Sequence, residues 1–177
     1  MSGGEDLVRR ALACGKGRLM GDVLDMCCGG QEFYFERGDV LMCDMHPRSS
    51  TLCDGRKFEC NPDVVCDFTD LPFQDESFNL VVFDPPHLLR GDGWQAEKYG
   101  LLPKGWKPYL KSGFSECWRV LRPGGTLVFK WSDVQLGISE IRPCFPAPPL
   151  FGNRRPRGSR THWIVFHKDA SKSERNV

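Results

Sequence analysis

The sequence predicts an α/β fold, in which a single domain has a doubly wound, mostly parallel sheet with helices on both faces. Short apolar runs rich in β-branched residues alternate along the chain with longer connectors, a pattern typical of parallel sheets that are buried on both sides. The length of 177 residues suits one domain with one core. The contents of 40% hydrophobic and 27% charged residues are ordinary for a globular protein.

The predicted strands are apolar runs bounded by polar or turn-forming residues. In chain order they cover residues 23–26, 40–43, 64–66, 78–83, 126–131 and 161–166. Apolar spacing predicts a short helix at 5–15, and a helix or short turn is expected near 33–35. A further helix is predicted at 114–121, ended by the Arg-Pro-Gly-Gly sequence at 122–125.

The connectors differ in the structure they predict. Residues 45–63 contain Asp-Gly and Asn-Pro pairs, which indicate a loop or hairpin. Residues 88–112 contain repeated glycines and prolines, so we expect a long insertion that acts as a substrate loop or lid. We place the domain at 1–167, with a basic hairpin loop at 150–160, and expect 168–177 to be a disordered tail.

The cysteine content and the apolar runs bear on compartment and metal binding. No run approaches the roughly 18 apolar residues of a membrane span, and no signal-peptide core is recognisable. The nine cysteines are therefore expected to be reduced, in an intracellular protein of the cytoplasm or nucleus. No metal is predicted, because a C-x2-C pair is missing from the cluster of Cys43, His46, Cys53, Cys60 and Cys66.

The sequence Asp84-Pro85-Pro86-His87 directly follows a predicted buried strand. Each proline fixes φ near −65° and lacks an N–H group, and the residue before a proline is driven away from helix. The segment is therefore stiff, extended and rich in acceptors, namely the Asp84 carboxylate and free carbonyl groups. Such an edge suits a planar amine, whose two N–H groups need two acceptors. The same sequence is also compatible with a simple proline turn after a strand.

Three other predicted strands also end in residues that can bind a ligand. The first ends at 25–30 in Asp-Met-Cys-Cys-Gly-Gly, the second at Asp44, and the third at Asp67 and Phe68. Alone, a glycine pair is often a turn and an acid is often a helix cap. In open α/β sheets, however, ligands bind beyond the carboxyl ends of the strands, and these ends occur in register. An acid nineteen residues after Asp25 also suits ribose hydroxyls.

From about residue 20 to 131, with a last strand at 161–167, the chain resembles class I S-adenosylmethionine-dependent methyltransferases of the amino-methylating kind. Residues 25–30 are similar to the family's glycine-rich first motif, but Cys27 and Gln31 stand where the family has glycines. Residues 71–81 and 121–127 also resemble stretches of this superfamily. The resemblance implies a Rossmann-like sheet of about seven strands.

The resemblance implies that the cofactor is S-adenosylmethionine. Asp44 would then hold its ribose and Asp67 its adenine, with the glycine-rich segment close to the rest of the molecule. The residues expected to bind the cofactor are Asp25, Cys27, Cys28, Gly29, Gly30, Asp44, Met45, Asp67, Phe68 and Asp84.

The proline segment resembles the family's catalytic [D/N/S]-P-P-[aromatic] motif, which implies catalytic roles for Asp84, Pro85, Pro86 and His87. Enzymes with this motif methylate a planar nitrogen, most often N6 of adenine, N4 of cytosine or N2 of guanine. The lone pair of such an amine is delocalised into the ring, so the nitrogen is a poor nucleophile. Acceptors on Asp84 and the Pro85 carbonyl would orient the amine and stabilise its developing positive charge.

His87 is the departure from this motif, since the family usually has Tyr, Phe or Trp there. Imidazole can stack on a base, as histidine does in other proteins that bind nucleic acids. It can also exchange a proton, because its ordinary pKa is about 6.5. We favour stacking and keep the acid–base role as the alternative.

Two basic segments indicate how a substrate could be held. Residues 88–112 contain five basic and two acidic residues, interleaved with aromatic ones, and residues 150–177 contain seven basic and two acidic residues. Basic residues mixed with aromatics suit phosphate groups and stacked bases. The same compositions are also compatible with a packed lid in the first segment and a solvated loop in the second. The candidate substrate-binding residues are Trp94, Tyr99, Lys130, Trp131, Arg154, Arg155, Arg157 and Arg160, and for Trp131 a place in the core is an equal alternative.

The function expected from the sequence is a methyltransferase (EC 2.1.1) acting on an exocyclic amine of a base in DNA or RNA, with adenine N6 favoured. The chain has no room for a separate target-recognition domain, so specificity would come from the basic segments or from a protein partner. One alternative is an N-methyltransferase of protein side chains. The other is a non-catalytic subunit that binds nucleic acid.

Overall fold

A seven-stranded sheet organises the protein, which we describe from a computed structural model for residues 22–52, 55–153 and 160–172. The helix predicted at 5–15 lies outside these residues. The strands are β1 (Val23–Asp25), β2 (Val40–Asp44), β3 (Arg48–Thr51), β4 (Lys57–Cys60), β5 (Val64–Val65), β6 (Phe78–Phe83), β7 (Leu121–Ser132), β8 (Phe151–Gly152) and β9 (Thr161–His167). The sheet has the order β5-β2-β1-β6-β7-β9-β8, and β3 and β4 form a separate hairpin.

The sheet is doubly wound and mostly parallel, as the sequence predicts. Strands β5, β2, β1, β6 and β7 are parallel, and β9 runs antiparallel to both β7 and β8. From β1 the chain proceeds outward to β2 and β5, then returns to β6 on the other side of β1. This reversal opens a crevice at the carboxyl end of β1, where ligands bind in folds of this kind.

The described helices are α1 (Trp94–Tyr99), α2 (Trp106–Val120) and α3 (Ile138–Ile141), with 3-10 turns at Arg142–Cys144 and Ala170–Lys172. Helix α2 has buried residues at 110, 113, 114, 117 and 120, the spacing of an amphipathic helix with one face on the sheet. In the described residues, turns connect β1 to β2, and the β3–β4 hairpin lies between β2 and β5. The hairpin predicted for 45–63 is thus confirmed. None of the described helices is long and apolar enough to cross a membrane.

Much of the segment 88–112, which the sequence predicts to be a long insertion, is helical, because it forms α1 and the beginning of α2. Three of its four glycines lie at the helix ends. Gly93 is the N-cap of α1, Gly100 its C-cap with φ 71°, and Gly105 the N-cap of α2. Pro108 is the third residue of α2, where the N–H group would have no partner within the helix. The composition therefore marked helix boundaries.

An aromatic cluster between the sheet and α2 forms the centre of the core. The fully buried rings of Phe83, Phe114 and Phe129 contact one another, with centroids 4.9 Å apart for Phe114 and Phe129. Trp131 extends the cluster by stacking on Phe129, and its indole N–H donates to the Leu136 carbonyl at 3.0 Å. Trp131 is 0% exposed, so the prediction that it contacts substrate is wrong.

Gly113 lets α2 approach the rings on the sheet. A Cβ atom at this position would lie 2.7 Å from a ring carbon of Phe68 and 2.8 Å from one of Phe83. Overpacking of this kind costs about 1–3 kcal/mol, partly offset by the better helix propensity of alanine.

We predict that Gly113→Ala lowers the free energy of unfolding by about 1–2 kcal/mol in urea denaturation. The exposed neighbour Ser112 provides the control, because Ser112→Ala adds no atom to the core. Equal stability of the two variants would contradict this packing.

Candidate active site

A cavity of about 180 Å³ lies at the carboxyl ends of β1, β2, β5 and β6. Lys130 near the end of β7 and residues 98–101 of the α1 segment complete its wall. The predicted site residues that line it are Cys27, Cys28, Gly29, Gly30, Asp44, Met45, Phe68, Asp84, Pro85, Pro86, His87, Tyr99 and Lys130. The strand ends that the sequence analysis singled out therefore meet in one cavity.

Other predicted site residues lie elsewhere. Asp25 and Trp131 are fully buried, Asp67 stands behind the wall, and Trp94 and Arg160 are exposed away from the cavity. Arg154, Arg155 and Arg157 lie outside the described residues.

The buried side chain of Asp25 stabilises the loop after β1. Its carboxyl group accepts hydrogen bonds from the Tyr34 hydroxyl at 2.8 Å and from the Cys27 N–H at 3.1 Å. Burial raises the pKa of Asp25 from 3.8 to about 7, against the lowering effect of these two hydrogen bonds. Asp25 is 0% exposed, so direct cofactor contact is not its role here, and it instead fixes the loop that lines the cavity.

The loop passes close to the cavity in a conformation that explains its glycines. Gly29 has φ +45° and a Cβ there would meet no atom within 4 Å, which leaves the backbone open to the cavity. At Gly30 a Cβ would approach a ring carbon of Phe58 to 2.7 Å. Gln31, which stands where the family has a third glycine, has φ 58°, a left-handed conformation that glycine adopts more readily.

Asp44 connects the first two strand ends. Its carboxylate accepts hydrogen bonds from the Gly29 N–H at 3.2 Å and the His46 N–H at 2.9 Å. The Cys28 N–H also donates to the Cys43 carbonyl at 2.9 Å. These bonds hold the two loops in register, with the carboxylate on the cavity wall.

At the third strand end, the wall is formed by Cys66 and Phe68. The side chain of Asp67 turns away, and its Oδ1 accepts hydrogen bonds from the N–H and hydroxyl groups of Thr69 at 2.8 and 2.9 Å. The Tyr109 hydroxyl, 3.4 Å from the same oxygen, belongs to a ring that packs against Phe68. Asp67 thus stabilises a turn, a role that the sequence analysis did not consider.

Asp84 forms an ion pair with Lys130 at the end of the cavity nearest β7. Burial raises the pKa of Asp84, whereas the Lys130 ammonium group opposes this shift. The Lys130 Nζ lies 5.2 Å from the Phe33 ring centroid and 5.9 Å from that of Trp163, as in a cation–π contact. Among the described residues, no donor reaches Asp84 Oδ1 or the Pro85 carbonyl, so both acceptors remain available.

His87 forms an aromatic wall beside this ion pair. Its ring centroid lies 5.2 Å from that of Tyr99 and 6.2 Å from that of Trp131. Burial, and next the charge of Lys130, lower the pKa of His87 to about 4. The imidazole is therefore neutral at neutral pH, which suits stacking better than acid–base catalysis.

The last residues of helix α1 form part of the cavity wall. Charged side chains hold the helix in place. One of them, Lys98, was counted among the basic residues of the substrate loop in the sequence analysis, and the others were missed. Lys98 is 5% exposed and forms an ion pair with Glu32 of the loop after β1. The Lys98 carbonyl accepts a hydrogen bond from Arg48 Nη2 at 2.7 Å. Lys98 therefore fastens α1 and is not free to neutralise a phosphate. Glu32, Phe33, Arg48 and Trp163 were missed, since only tertiary contacts reveal them.

Within the described residues, one group has metal-ligating atoms close together, namely Cys28, Asp44 and Cys60, within 4.8 Å of one another. The sequence analysis predicted no metal because the spacing of the cysteines is irregular. Asp44 already accepts two backbone hydrogen bonds. A hydrogen bond to Cys60 and burial raise the pKa of Cys28, and a protonated thiol is a poor ligand. We therefore assign no metal to this group.

Comparison with known proteins supports the fold. The PH0226 protein from Pyrococcus horikoshii OT3 is 17% identical, with a TM-score of 0.53 over 94% of this chain and 88% of that chain. The antibiotic-resistance methyltransferase Kmr is 17% identical, with a TM-score of 0.44 over 93% of each chain. The N-methyltransferase NodS from Bradyrhizobium japonicum WM9 is 14% identical, with a TM-score of 0.48 over 94% of each chain.

No protein-family model and no curated protein sequence matches the chain. At these identities, the likeness to the PH0226 protein shows that the chain has the Rossmann-like fold inferred from the sequence.

The raised pKa of the buried Asp25 carboxyl group predicts that the stability of the protein depends on pH. Its pKa is about 7 when folded and 3.8 as an ordinary aspartate. The folded protein thus binds more protons between these values, and the contribution of Asp25 to stability falls as pH rises through this window. We predict that Asp25→Asn gains about 2–3 kcal/mol in unfolding free energy relative to the unmutated protein between pH 5 and pH 8. Urea denaturation at both pH values measures this gain.

The control is Asp92→Asn, since Asp92 is exposed and has no burial to relieve. A stability difference for Asp25→Asn that stays constant with pH would contradict the raised pKa.

Proposed function

We propose that the protein is an S-adenosylmethionine-dependent methyltransferase that acts on an exocyclic amine of a nucleic-acid base, with adenine N6 favoured. The observation that carries this proposal is the pair of available acceptors at one end of the cavity. Asp84 and Pro85 belong to a stiff segment that lines the cavity, and no donor among the described residues occupies Asp84 Oδ1 or the Pro85 carbonyl. Two acceptors at a fixed separation match the two N–H groups of a planar amine.

The cavity residues fit S-adenosylmethionine. Gly29, Gly30 and the Asp44 carboxylate line the cavity, where the polar parts of the cofactor could contact the loop backbone and the carboxylate. Met45, Cys66 and Phe68 form an apolar wall for its adenine. When bound, the cofactor supplies an electrophilic methyl group on a sulfonium ion.

The protein would act mainly by orienting and polarising the amine. Hydrogen bonds to Asp84 and Pro85 draw electron density away from the N–H bonds and favour a pyramidal nitrogen, whose lone pair is then available for attack. Positive charge develops on this nitrogen during transfer, and the Asp84 carboxylate stabilises it inside a partly buried site. Lys130 contributes by favouring the ionised form of Asp84, although burial, the larger effect, raises the pKa of this carboxyl group.

The ring of His87 and the exposed cations suit nucleic acid as substrate. His87 is neutral and lies beside Asp84, where a base could stack on it. Lys104, Lys107 and Lys111 are exposed around the beginning of α2, and Arg160 is exposed before β9. Such cations can contact phosphates. Duplex DNA would require base flipping, whereas RNA or single-stranded DNA would not.

Calorimetric titration with S-adenosylmethionine tests the cofactor part of the proposal. The expected result is saturable binding. The absence of heat at millimolar cofactor would instead favour a non-catalytic subunit that binds nucleic acid.

Asp84→Asn tests the catalytic edge. The Asn oxygen would face the Lys130 ammonium group, so the amide NH2 would face the substrate amine and replace an acceptor by a donor. We predict that methyl transfer falls by about 10²–10³-fold, as when one group that stabilises developing charge is removed. Calorimetry should show cofactor affinity within a few-fold of the unmutated protein, and Glu97→Gln on the exposed face of α1 is the control. Retained turnover would remove Asp84 from the mechanism.

A further inference from the structure

Lys130 lies on the cavity side of β7, next to the catalytic edge of β6. It lines the cavity together with Asp84 and bonds to Asp84 Oδ2. Its neighbour Trp131 faces the core, as the alternation of side chains along a strand requires. Lys130 is paired with Trp163 across the β7–β9 ladder, which places the two side chains on the same face of the sheet.

The ammonium group of Lys130 is held in place but not fully used. A lysine Nζ carries three N–H donors, and among the described residues it donates to a single acceptor, Asp84 Oδ2. The aromatic rings of Phe33 and Trp163 confine it without accepting a conventional hydrogen bond. The side chain is 23% exposed, so the remaining donors can be reached from the cavity.

Asp84 and Lys130 therefore present an acceptor and a donor next to each other. An amine bound at Asp84 Oδ1 would bring the atom adjacent to it on the substrate ring towards Lys130 Nζ. We propose that Lys130 is a specificity-determining residue, which donates a hydrogen bond to the ring nitrogen beside the amine, so that the site recognises the amidine edge of a nucleobase. This inference rests on the proposed function and names the chemistry of its substrate.

The same pair would discriminate against other amines. A protonated lysine or another cationic amine would meet the charge of Lys130 and be repelled. An aromatic amine without a neighbouring ring acceptor would leave the Lys130 donors unpaired and desolvated, which lowers affinity. The edge of adenine at N6 with N1 satisfies both groups, as does that of cytosine at N4 and N3.

Deaza bases test this contact without changing the protein. Single-stranded oligonucleotides containing adenine, 1-deazaadenine or 7-deazaadenine retain the amine, but each analogue replaces one ring nitrogen by C–H. For the unmutated protein, we predict that kcat/KM falls about 10- to 100-fold for 1-deazaadenine, which lacks N1, and stays near that of adenine for 7-deazaadenine, which retains the amidine edge. If nucleoside mass spectrometry after incubation with labelled S-adenosylmethionine shows the methyl group on cytosine or guanine instead of adenine, the 3-deaza analogue of that base is used in the same way.

Variants of Lys130 assign the lost contact. Lys130→Met should lower kcat/KM on the natural base and show no further loss on the sensitive analogue, whereas Lys130→Arg should restore part of the discrimination. Calorimetry with S-adenosylmethionine checks that Lys130→Met still folds and binds cofactor. Lys57→Met, at an exposed position on β4, is the matched control.

The outcomes separate the two claims. Equal kcat/KM on the natural base and its analogues would overturn the role of Lys130 in recognition while leaving the methyltransferase proposal intact. If Lys130→Met then still lost activity, Lys130 would act only by keeping Asp84 ionised. Absence of methyl transfer to every oligonucleotide would overturn the proposed substrate, and the inference with it.

Discussion

The position of β1 in the middle of the five parallel strands determines where the candidate site lies. The chain leaves β1 towards β2 and β5 on one side and returns to β6 and β7 on the other. The loops at the carboxyl ends therefore diverge, and the cavity opens between them. Each group assigned to the site reaches it through this arrangement: Asp44 from β2, Asp84 from β6 and Lys130 from β7.

Two carboxyl groups at this edge, the buried Asp25 and the partly buried Asp84, are stabilised in different ways. Asp25 is bonded to a hydroxyl and a backbone N–H, and burial holds its pKa near neutrality. Asp84 is paired with the Lys130 ammonium group, which opposes the effect of burial. Partial protonation of Asp25 limits the negative charge close to Asp44 and Asp84, while the Lys130 ammonium group favours the ionised form of Asp84 that the proposed chemistry needs.

The strands and their binding ends could be predicted because both signals are local. Apolar runs identify the strands, and the residue after each run lies at the carboxyl edge. The helices within residues 88–112 were harder to predict, because Gly93, Gly100 and Gly105 indicate a loop until their places at helix ends are known. The contacts of Lys130 and Lys98 depend on residues distant in sequence, which no local pattern reveals. The sequence alone could have predicted that only one of Lys130 and Trp131 faces the cavity, since neighbouring strand residues face opposite sides of a sheet.

The departures from the family motifs also have physical explanations. Gln31 occupies a left-handed position that glycine would fill without strain, and the loop is still held by the Asp25 and Asp44 hydrogen bonds. His87 replaces an aromatic residue with a ring that burial keeps neutral. Neither change alters the acceptors on Asp84 and Pro85.

Nucleoside mass spectrometry tests the central claim most directly. RNA and single-stranded and duplex DNA would be incubated with the protein and S-adenosylmethionine carrying an isotopically labelled methyl group. The account predicts label on the exocyclic nitrogen of a base, with N6-methyladenine as the expected product. Label found only in protein, or on a ring carbon or a ribose oxygen, would contradict it.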